Sequence, residues 1–346
     1  MNPNPPALST SIRLARRPVG LPVAEDWSIV SEPAPMPAEG EVLVRTSLIS
    51  LDPAMRGWLD DRPSYLPPVP IGGIMRAATV GTVVSSRHRR HAEGNVVMGN
   101  FGVQEYAIAS GRDVTLVDER VGSASAYLGL LGTTGLTAYF GLFEHGRPRA
   151  GDTVLVSAAA GGVGSVVGQL ARLSGARVVG IAGGPDKCRY VVEELGFDDV
   201  IDYKSEKLRQ AMARTCPDGI DVYFDNVGGP ILNAALANLA MHARIVVCGA
   251  ISQYNAQEPT PGPSNYMSLL VRRATMGGFL VFDHSADYTI ARHRLSAWHA
   301  AGQLVAAETI VSGSITDFPE VLLRLFSGDN VGKLILDISD AKDGQS

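Results

Sequence analysis

The chain carries only three cysteines in 346 residues (Cys188, Cys216 and Cys248), and no two of them stand at Cys-x-x-Cys spacing. That excludes a disulfide scaffold and a zinc site built on paired cysteines, and it suits a reducing compartment. Basic residues number 30 against 35 acidic ones, a formal net charge of −5. Beyond the run Arg87-His88-Arg89-Arg90 there is no basic block, so the electrostatic footprint of a nucleic-acid partner is missing. No apolar run reaches the roughly 18 residues that would read as a membrane span. A catalytic zinc needs about three ligands and one open position. The seven histidines are scattered, with His88 and His91 in a charged turn. A Gly-x-Ser-x-Gly elbow is also missing, and with it the nucleophile of a serine hydrolase.

What is present is an ordinary globular composition, 45% apolar and 19% charged. At this length one hydrophobic core rarely serves the whole chain, so two domains are expected. Arg13, Arg16 and Arg17 precede the first acid, Glu25, a composition that hints at an organelle transit peptide. Strand-like Ser28-Ile29-Val30 and Glu41–Arg45 follow at once, however, and no apolar core of a secretory signal is present. A cytoplasmic protein is expected. The proline-rich start is expected to be loop or frayed terminus.

Residues 28–120 contain short Val/Ile/Thr-rich segments (VLVRTSLIS, ATVGTVVSS, NVVMGNF, QEYAIAS, DVTLVD) bounded by Pro, Gly and Asp. They predict a mainly antiparallel, barrel-like β domain. From about residue 125 the pattern changes. SAYLGLLGTTGLTAYFGLFEHG has helical spacing interrupted by glycines, and apolar strands then alternate with helices as far as a late TMGGFLVF strand. This is the pattern of parallel βαβ units, whose strands are buried on both faces. The expected division is a β domain over 1–125 completed by 305–346, and a nucleotide-binding domain over 126–304.

The strongest chemical signal is DTVLVSAAAGGVGSVVGQLARLSGARVVGIAGG. A strand over Thr153–Ser157 runs through Ala159-Ala160-Gly161-Gly162-Val163-Gly164 into a helix, and a second strand follows over Arg177–Ala182. Glycines at such a turn admit a pyrophosphate and allow tight helix packing, while the helix N-terminus offers N–H donors and a positive dipole end. Ala159 stands where the fingerprint has its first glycine. An NAD site would place an acid at the end of the second strand. This chain has Ala182-Gly183-Gly184 there, with Lys187 beyond and Tyr203 at the end of the third strand. Room for a 2′-phosphate, a cation to neutralise it and a phenol to bond it favour NADP(H). Asp186 is the contrary residue, unless it caps the helix that holds Lys187.

Taken together, SLDPAMRG (50–57), PSYLPPVPIGG (63–73), GLTAYFGL (135–142), AAAGGVGSVVGQLA (158–171), GFDDVIDYK (196–204), YFDNVGG (223–229), CGAISQYN (248–255), GGFLVFD (277–283) and NVGKL (330–334) resemble a known family. The chain resembles the zinc-independent medium-chain dehydrogenase/reductases of the leukotriene B4 12-hydroxydehydrogenase, prostaglandin reductase and alkenal double-bond reductase group, the bacterial curcumin reductase branch above all. Thr133-Thr134 and Gly277 depart from the family's usual residues, which bears on substrate preference.

The resemblance implies a Rossmann-type doubly wound sheet joined to a GroES-like β domain. It also implies NADPH-dependent reduction of the C=C bond of small apolar α,β-unsaturated ketones and aldehydes, without a metal. Tyr254 would donate to the carbonyl oxygen where charge develops, or would merely hold the ribose; Tyr65 is a second donor candidate, or a residue of a surface turn. Gly161, Gly162, Val163 and Gly164 would meet the pyrophosphate, and Lys187 and Tyr203 the 2′-phosphate. Asn226, Cys248, Gly249, Ala250, Ile251, Ser252 and Tyr254 would run along the ribose and nicotinamide. Phe279 and Leu280 would meet the carboxamide, with Asn330 near the nicotinamide end; Asn226 and Asn330 could instead be turn-formers. Met55, Trp58 and Tyr139 would line an apolar slot or pack a core. A homodimer through the βαβ domain is implied, with TMGGFLVF as a pairing edge. Quinone reduction, or dinucleotide binding without turnover, are the alternatives.

Overall fold

A computed structural model describes residues 8–340. The chain divides into two compact units. One comprises the described residues up to Leu128, Glu308–Asn330 and those from Leu334 on; the other comprises Gly129–Ala307 with Val331–Lys333.

In chain order the first unit contributes β1 (Leu8–Leu14), β2 (Trp27–Pro33), β3 (Glu41–Leu51), helix α1 (Met55–Trp58), β4 (Thr79–Ser86), β5 (Val96–Gly99), β6 (Tyr106–Ser110) and β7 (Thr115–Leu116). The second contributes α2 (Thr133–Phe140), β8 (Thr153–Ser157), α3 (Gly162–Leu173), β9 (Arg177–Ala182), α4 (Pro185–Glu193), β10 (Asp199–Asp202), α5 (Leu208–Thr215), β11 (Ile220–Asp225), α6 (Gly229–Leu236), β12 (Leu239–Val247), α7 (Ser268–Arg272), β13 (Thr275–Gly278) and α8 (Tyr288–Ala300). The chain closes with β14 (Glu308–Ser312), α9 (Phe318–Ser327) and β15 (Lys333–Asp337).

The first unit is mainly antiparallel. Its larger sheet runs β14-β15-β3-β4-β5-β7, with β6 also on β3, while β1 and β2 pair separately. The long strand β3 is its axis, antiparallel to β4, β6 and β15. Ile12, Leu14, Ile49, Leu51, Leu59, Phe318, Leu322 and Leu336 close one core, and Val42, Val44, Val83, Val97 and Phe101 another. Burying such side chains is worth roughly 1.5–3 kcal/mol each.

The proline-rich start, expected as loop or frayed terminus, falls on residues 1–7, outside those described. Leu8–Leu14 form a strand paired with Trp27–Pro33. The alternation in LSTSIRL sends Ile12 and Leu14 into the core, and that burial outweighs the weak turn signals around it.

The second unit is a wholly parallel sheet in the order β10-β9-β8-β11-β12-β13. Counted from its own first strand, that is the doubly wound order 3-2-1-4-5-6, whose switch point between β8 and β11 opens a crevice beyond the strands' C-terminal ends. Buried Leu155, Val179, Ile181, Ile201, Tyr223 and Ile245 explain why these strands read as continuous apolar runs. Two segments are shorter than their sequence pattern. Of residues 125–146 only Thr133–Phe140 is α-helical, continuing as a π-helical turn over Gly141–Gly146. TMGGFLVF is strand only as far as Gly278.

Candidate functional site

The second unit builds its site where β8 and β11 part. After β8 the chain turns on Ala158, held at φ +50°, and Gly161 N–H closes the turn on Ala158 O at 2.9 Å. The third fingerprint glycine has no freedom to change, since a Cβ on Gly164 would lie 2.2 Å from Ala158 O. Ala159 is tolerated where a glycine is usual because the neighbouring strand yields the space. It is fully buried, its N–H bonds Ile181 O at 3.0 Å, and Gly180 opposite has no side chain to meet its methyl. No side chain caps α3. The first N–H groups of a helix have no intrahelical acceptor, so an uncapped start over Gly162-Val163-Gly164 is a donor cradle with a positive dipole end. The residues present thus fit a dinucleotide pyrophosphate.

Two strands away the pattern is equally local. Gly183 receives the ring of Tyr203, whose hydroxyl would lie 2.9 Å from any Cβ placed there. Gly184, at φ +93°, donates its N–H to Asp202 Oδ1 at 2.9 Å and is the N-cap of α4, with Lys187 in the first turn. The Gly184 N–H holds the Asp202 carboxyl below its usual range, helped by the Lys204 N–H and the Ser205 hydroxyl. The acid at this end of the sheet is thereby spent on backbone. Asp186 does not cap α4; it stands inside the first turn and forms an ion pair with Arg189. A residue in helical conformation one turn from Arg189 reaches that cation more easily than it reaches back to the helix start.

Between β8 and β11 lies a network of which sequence reasoning singled out only Asn226. Asp225, 1% exposed, accepts from the Tyr223 hydroxyl at 2.7 Å, Gly228 N–H at 2.9 Å and Val227 N–H at 3.0 Å. Ser157 Oγ lies 3.2 Å from the same carboxylate oxygen and accepts the Asn226 N–H at 2.8 Å, while Asn226 Nδ2 donates to Ser157 O at 2.7 Å. Burial, with the Asp225 charge beside it, pushes the Tyr223 phenol well above its ordinary range, so it remains a neutral donor. The signal was visible only as polar residues ending two apolar runs, Ser157 and Asp225-Asn226.

The loop after β12 is fastened to this network. Cys248 and Gly249 N–H groups donate to Asp225 O at 2.9 and 3.0 Å, and Ser252 Oγ to Val227 O at 2.6 Å. The Tyr254 hydroxyl folds back over Gly249 and accepts the Ala250 N–H at 3.2 Å. Burial and then the Asp225 charge push the Cys248 thiol up to about 12, so it is no nucleophile at neutral pH. Phe279 turns its ring inward against Gly141 and stacks on His145 with centroids 5.0 Å apart.

The other candidates divide. Tyr139 is buried, its hydroxyl accepting from Arg294 at 2.6 Å, and its ring packs against Phe140 and Phe143. Met55 is fully buried in the core of the first unit. In that unit Tyr65, 45% exposed, accepts the Trp58 indole N–H at 3.3 Å, and the Arg76 guanidinium lies 5.3 Å over the Trp58 ring. Asn330 is buried and belongs to the first unit, whereas Gly332 belongs to the second and donates its N–H to Ala160 O at 2.7 Å. Among the described residues no three His, Cys, Asp or Glu side chains gather as a metal-ligand group.

An open parallel sheet with an uncapped glycine turn at its switch point, on one chain with an antiparallel β unit, defines a dinucleotide-binding protein of two units. Comparison with known proteins narrows the class. Residues 10–117 match the family model "N-terminal domain of oxidoreductase", and 162–297 the one described as "Zinc-binding dehydrogenase". The chain is 41% identical over 334 residues to the NADPH-dependent curcumin reductase of Escherichia coli (strain K12), covering 94% of this chain and 96% of that one. It is 38% identical over 302 residues to the NADP(+)-dependent 2-alkenal reductase of Nicotiana tabacum, covering 86% and 88%. The crystal structure of CurA from Vibrio vulnificus in complex with NADPH superposes with a TM-score of 0.90 at 39% identity, over 97% of this chain and 100% of that chain. The chain belongs to the zinc-independent medium-chain dehydrogenase/reductases, in their alkenal double-bond reductase group.

Proposed function

We propose that this protein reduces the carbon–carbon double bond of α,β-unsaturated aldehydes and ketones with NADPH, without a catalytic metal. The observation that carries this reading is its full-length kinship with reductases named for curcumin and for 2-alkenals, and the glycine cradle at the switch point supplies the dinucleotide site. Bound NADPH supplies a hydride to the β-carbon, and with a proton at the α-carbon two hydrogens are added in all.

The chain's own residues hold and polarise. Gly161, Gly162, Val163 and Gly164 present backbone N–H groups and a dipole end to the pyrophosphate. Lys187 and Tyr203 hold the 2′-phosphate over Gly183, where Arg189 offsets the Asp186 charge. Asn226 and the loop Cys248–Tyr254 line the ribose and nicotinamide, Phe279 and Leu280 meet the carboxamide, and Asn330 serves the nicotinamide end. Tyr254 donates to the carbonyl oxygen as negative charge grows there. The Ala250 N–H bonded to the phenol oxygen helps to fix the ring over Gly249. Tyr65 is the second donor, with Trp58 bonded to it as slot wall. The burial of Met55 and Tyr139 supports packing roles for both.

The working protein is a homodimer of the cytoplasm, paired through β13, whose residues are all exposed at the sheet edge; no helix among the described residues is long and apolar enough to cross a membrane. The test is the loss of NADPH absorbance with linear enones, alkenals, curcumin and quinones, with and without chelator, and product mass read for two added hydrogens. Chelator-insensitive turnover to saturated products is expected. Turnover of quinones alone would replace this reading with quinone reduction, and NADPH binding without turnover would replace it with a sensor.

A further inference from the structure

Two histidines of the second unit meet outside the set assigned to the cofactor. His145 closes the π-helical turn after α2, and His284 lies in the turn that follows β13. Their Nε2 atoms face each other at 3.4 Å, with ring planes crossed at 79°. Hydrogen bonds from nitrogen donors centre near about 2.9–3.0 Å, so this separation is long for a proton shared between two imidazoles. One ring's N–H still reaches the other nitrogen as a long hydrogen bond, and the spacing also matches a second geometry. With zinc–nitrogen bonds of about 2.0–2.1 Å, two nitrogens on a tetrahedral ion stand about 3.3–3.4 Å apart.

Both rings are fixed from behind. Phe140 stacks on His284 at 4.6 Å with planes 6° apart, and Phe279 stacks on His145 at 5.0 Å. Neither imidazole has to give up much side-chain freedom to converge, and both are partly exposed, which leaves a path for an ion and its waters. The neighbouring cation, Arg147, is held by its Nε on the Glu144 carbonyl, and its charge, which His145 feels, is opposed by that of Glu144. π-helical turns are rare and concentrate at functional sites. Here the wider turn supplies His145.

We propose that His145 and His284 form a two-histidine chelate for a borderline divalent cation of the zinc class, with water completing the coordination. Imidazole nitrogen suits Zn²⁺, Co²⁺, Ni²⁺ and Cu²⁺, and does not suit Mg²⁺ or Ca²⁺, which take oxygen ligands. The site needs neither substrate nor NADPH, so it stands or falls apart from the proposed reaction. The chain contains its own control. His88 and His91 also stack, with centroids 5.0 Å apart, but His91 Nε2 is bonded to Gly111 O, His88 Nδ1 accepts the Arg90 N–H, and arginines flank the pair.

The test is titration of the untagged, chelator-washed full chain with Co²⁺ and Zn²⁺, following the visible d–d bands of cobalt and the heat of zinc binding. One saturable site per chain is expected, with none for Mg²⁺. His145→Phe and His284→Phe keep a ring in each stack and remove the nitrogens; each is expected to weaken binding at least tenfold while the thermal unfolding midpoint measured without metal stays near that of the parent. Absence of saturable binding in the parent would overturn the assignment. So would binding that survives both substitutions, or that is lost only in His88→Ala.

Discussion

At the residue scale the division of labour is between groups that meet the reactants and groups that hold them in place. The proposed reaction puts Tyr254 in the first kind. For Tyr254→Phe we expect kcat to fall by about 10²-fold, the order seen on losing a donor to developing oxyanion charge, while the NADPH Kd measured by fluorescence stays within a factor of a few. Unchanged turnover would remove Tyr254 from the chemistry. Lys187→Ala tests the other end of the cofactor. It should weaken NADPH binding by about tenfold, one charge-assisted contact of 1–2 kcal/mol, and leave NADH nearly unaffected; equal losses for both would refute a 2′-phosphate contact. The two expectations have different sources. Lys187 follows from the missing acid after β9, a matter of local spacing, whereas Tyr254 came from resemblance alone. The role of Asp225 was not legible, although YFDNVGG contains it, because that role lies in four donors brought together from β8, β11 and the next turn, and Ser157 on β8 is distant in the sequence.

At the element scale the glycine pattern was legible as a turn, but its spatial logic was not. Ala159 in place of a fingerprint glycine looked like a weakening of the motif; the structure shows a compensating glycine, Gly180, on the neighbouring strand. A Cβ at Gly180 would lie 2.9 Å from Ala159 Cβ and from Val191 Cγ1, and 3.1 Å from Phe197 Cδ1. For Gly180→Ala we therefore expect a loss of roughly 1–3 kcal/mol, the range of an overpacked core, measured by urea unfolding. Ala159→Gly in the same background should recover part of it, since it removes one of the three clashes. No recovery would mean that Val191 and Phe197 set the limit. Strand positions were read well wherever both faces are buried, and Thr153–Ser157 and Arg177–Ala182 agree with the pattern residue for residue. The segment over 125–146 was read less well. Its glycines leave helical periodicity intact while the backbone widens into a π-helical turn, and periodicity does not report that change.

At the scale of the whole molecule, the parallel sheet of the second unit ends in an unsolved problem of its own. β13 lies at the edge, hydrogen-bonded to β12 on one side, with Thr275, Met276, Gly277 and Gly278 all exposed. An open edge presents unpaired N–H and C=O groups and invites another strand. The surface around it is apolar as well, since Leu270 and Val271 on α7 are 69% and 62% exposed, with Tyr266, Met267, Met276 and Phe282 exposed too. Exposed apolar side chains that cluster beside an open edge mark candidate interaction surfaces, and here Arg272 and Arg273 stand exposed among them. A second copy related by a two-fold axis would pair edge with edge and bury both patches, the self-complementary arrangement of an isologous dimer. Gly277 and Gly278 suit such an approach, because a Cβ at Gly277 meets nothing within 4 Å and one at Gly278 only the Val247 carbonyl. The pair Leu270→Glu and Val271→Glu places like charges across the proposed axis without touching the glycine turn or the Asp225 network. The parent should sediment at twice the chain mass in analytical ultracentrifugation, and the double variant at the chain mass with its NADPH Kd nearly kept. A parent that sediments as a monomer at every concentration would leave the edge unpaired, and a double variant that stays dimeric would move the interface elsewhere.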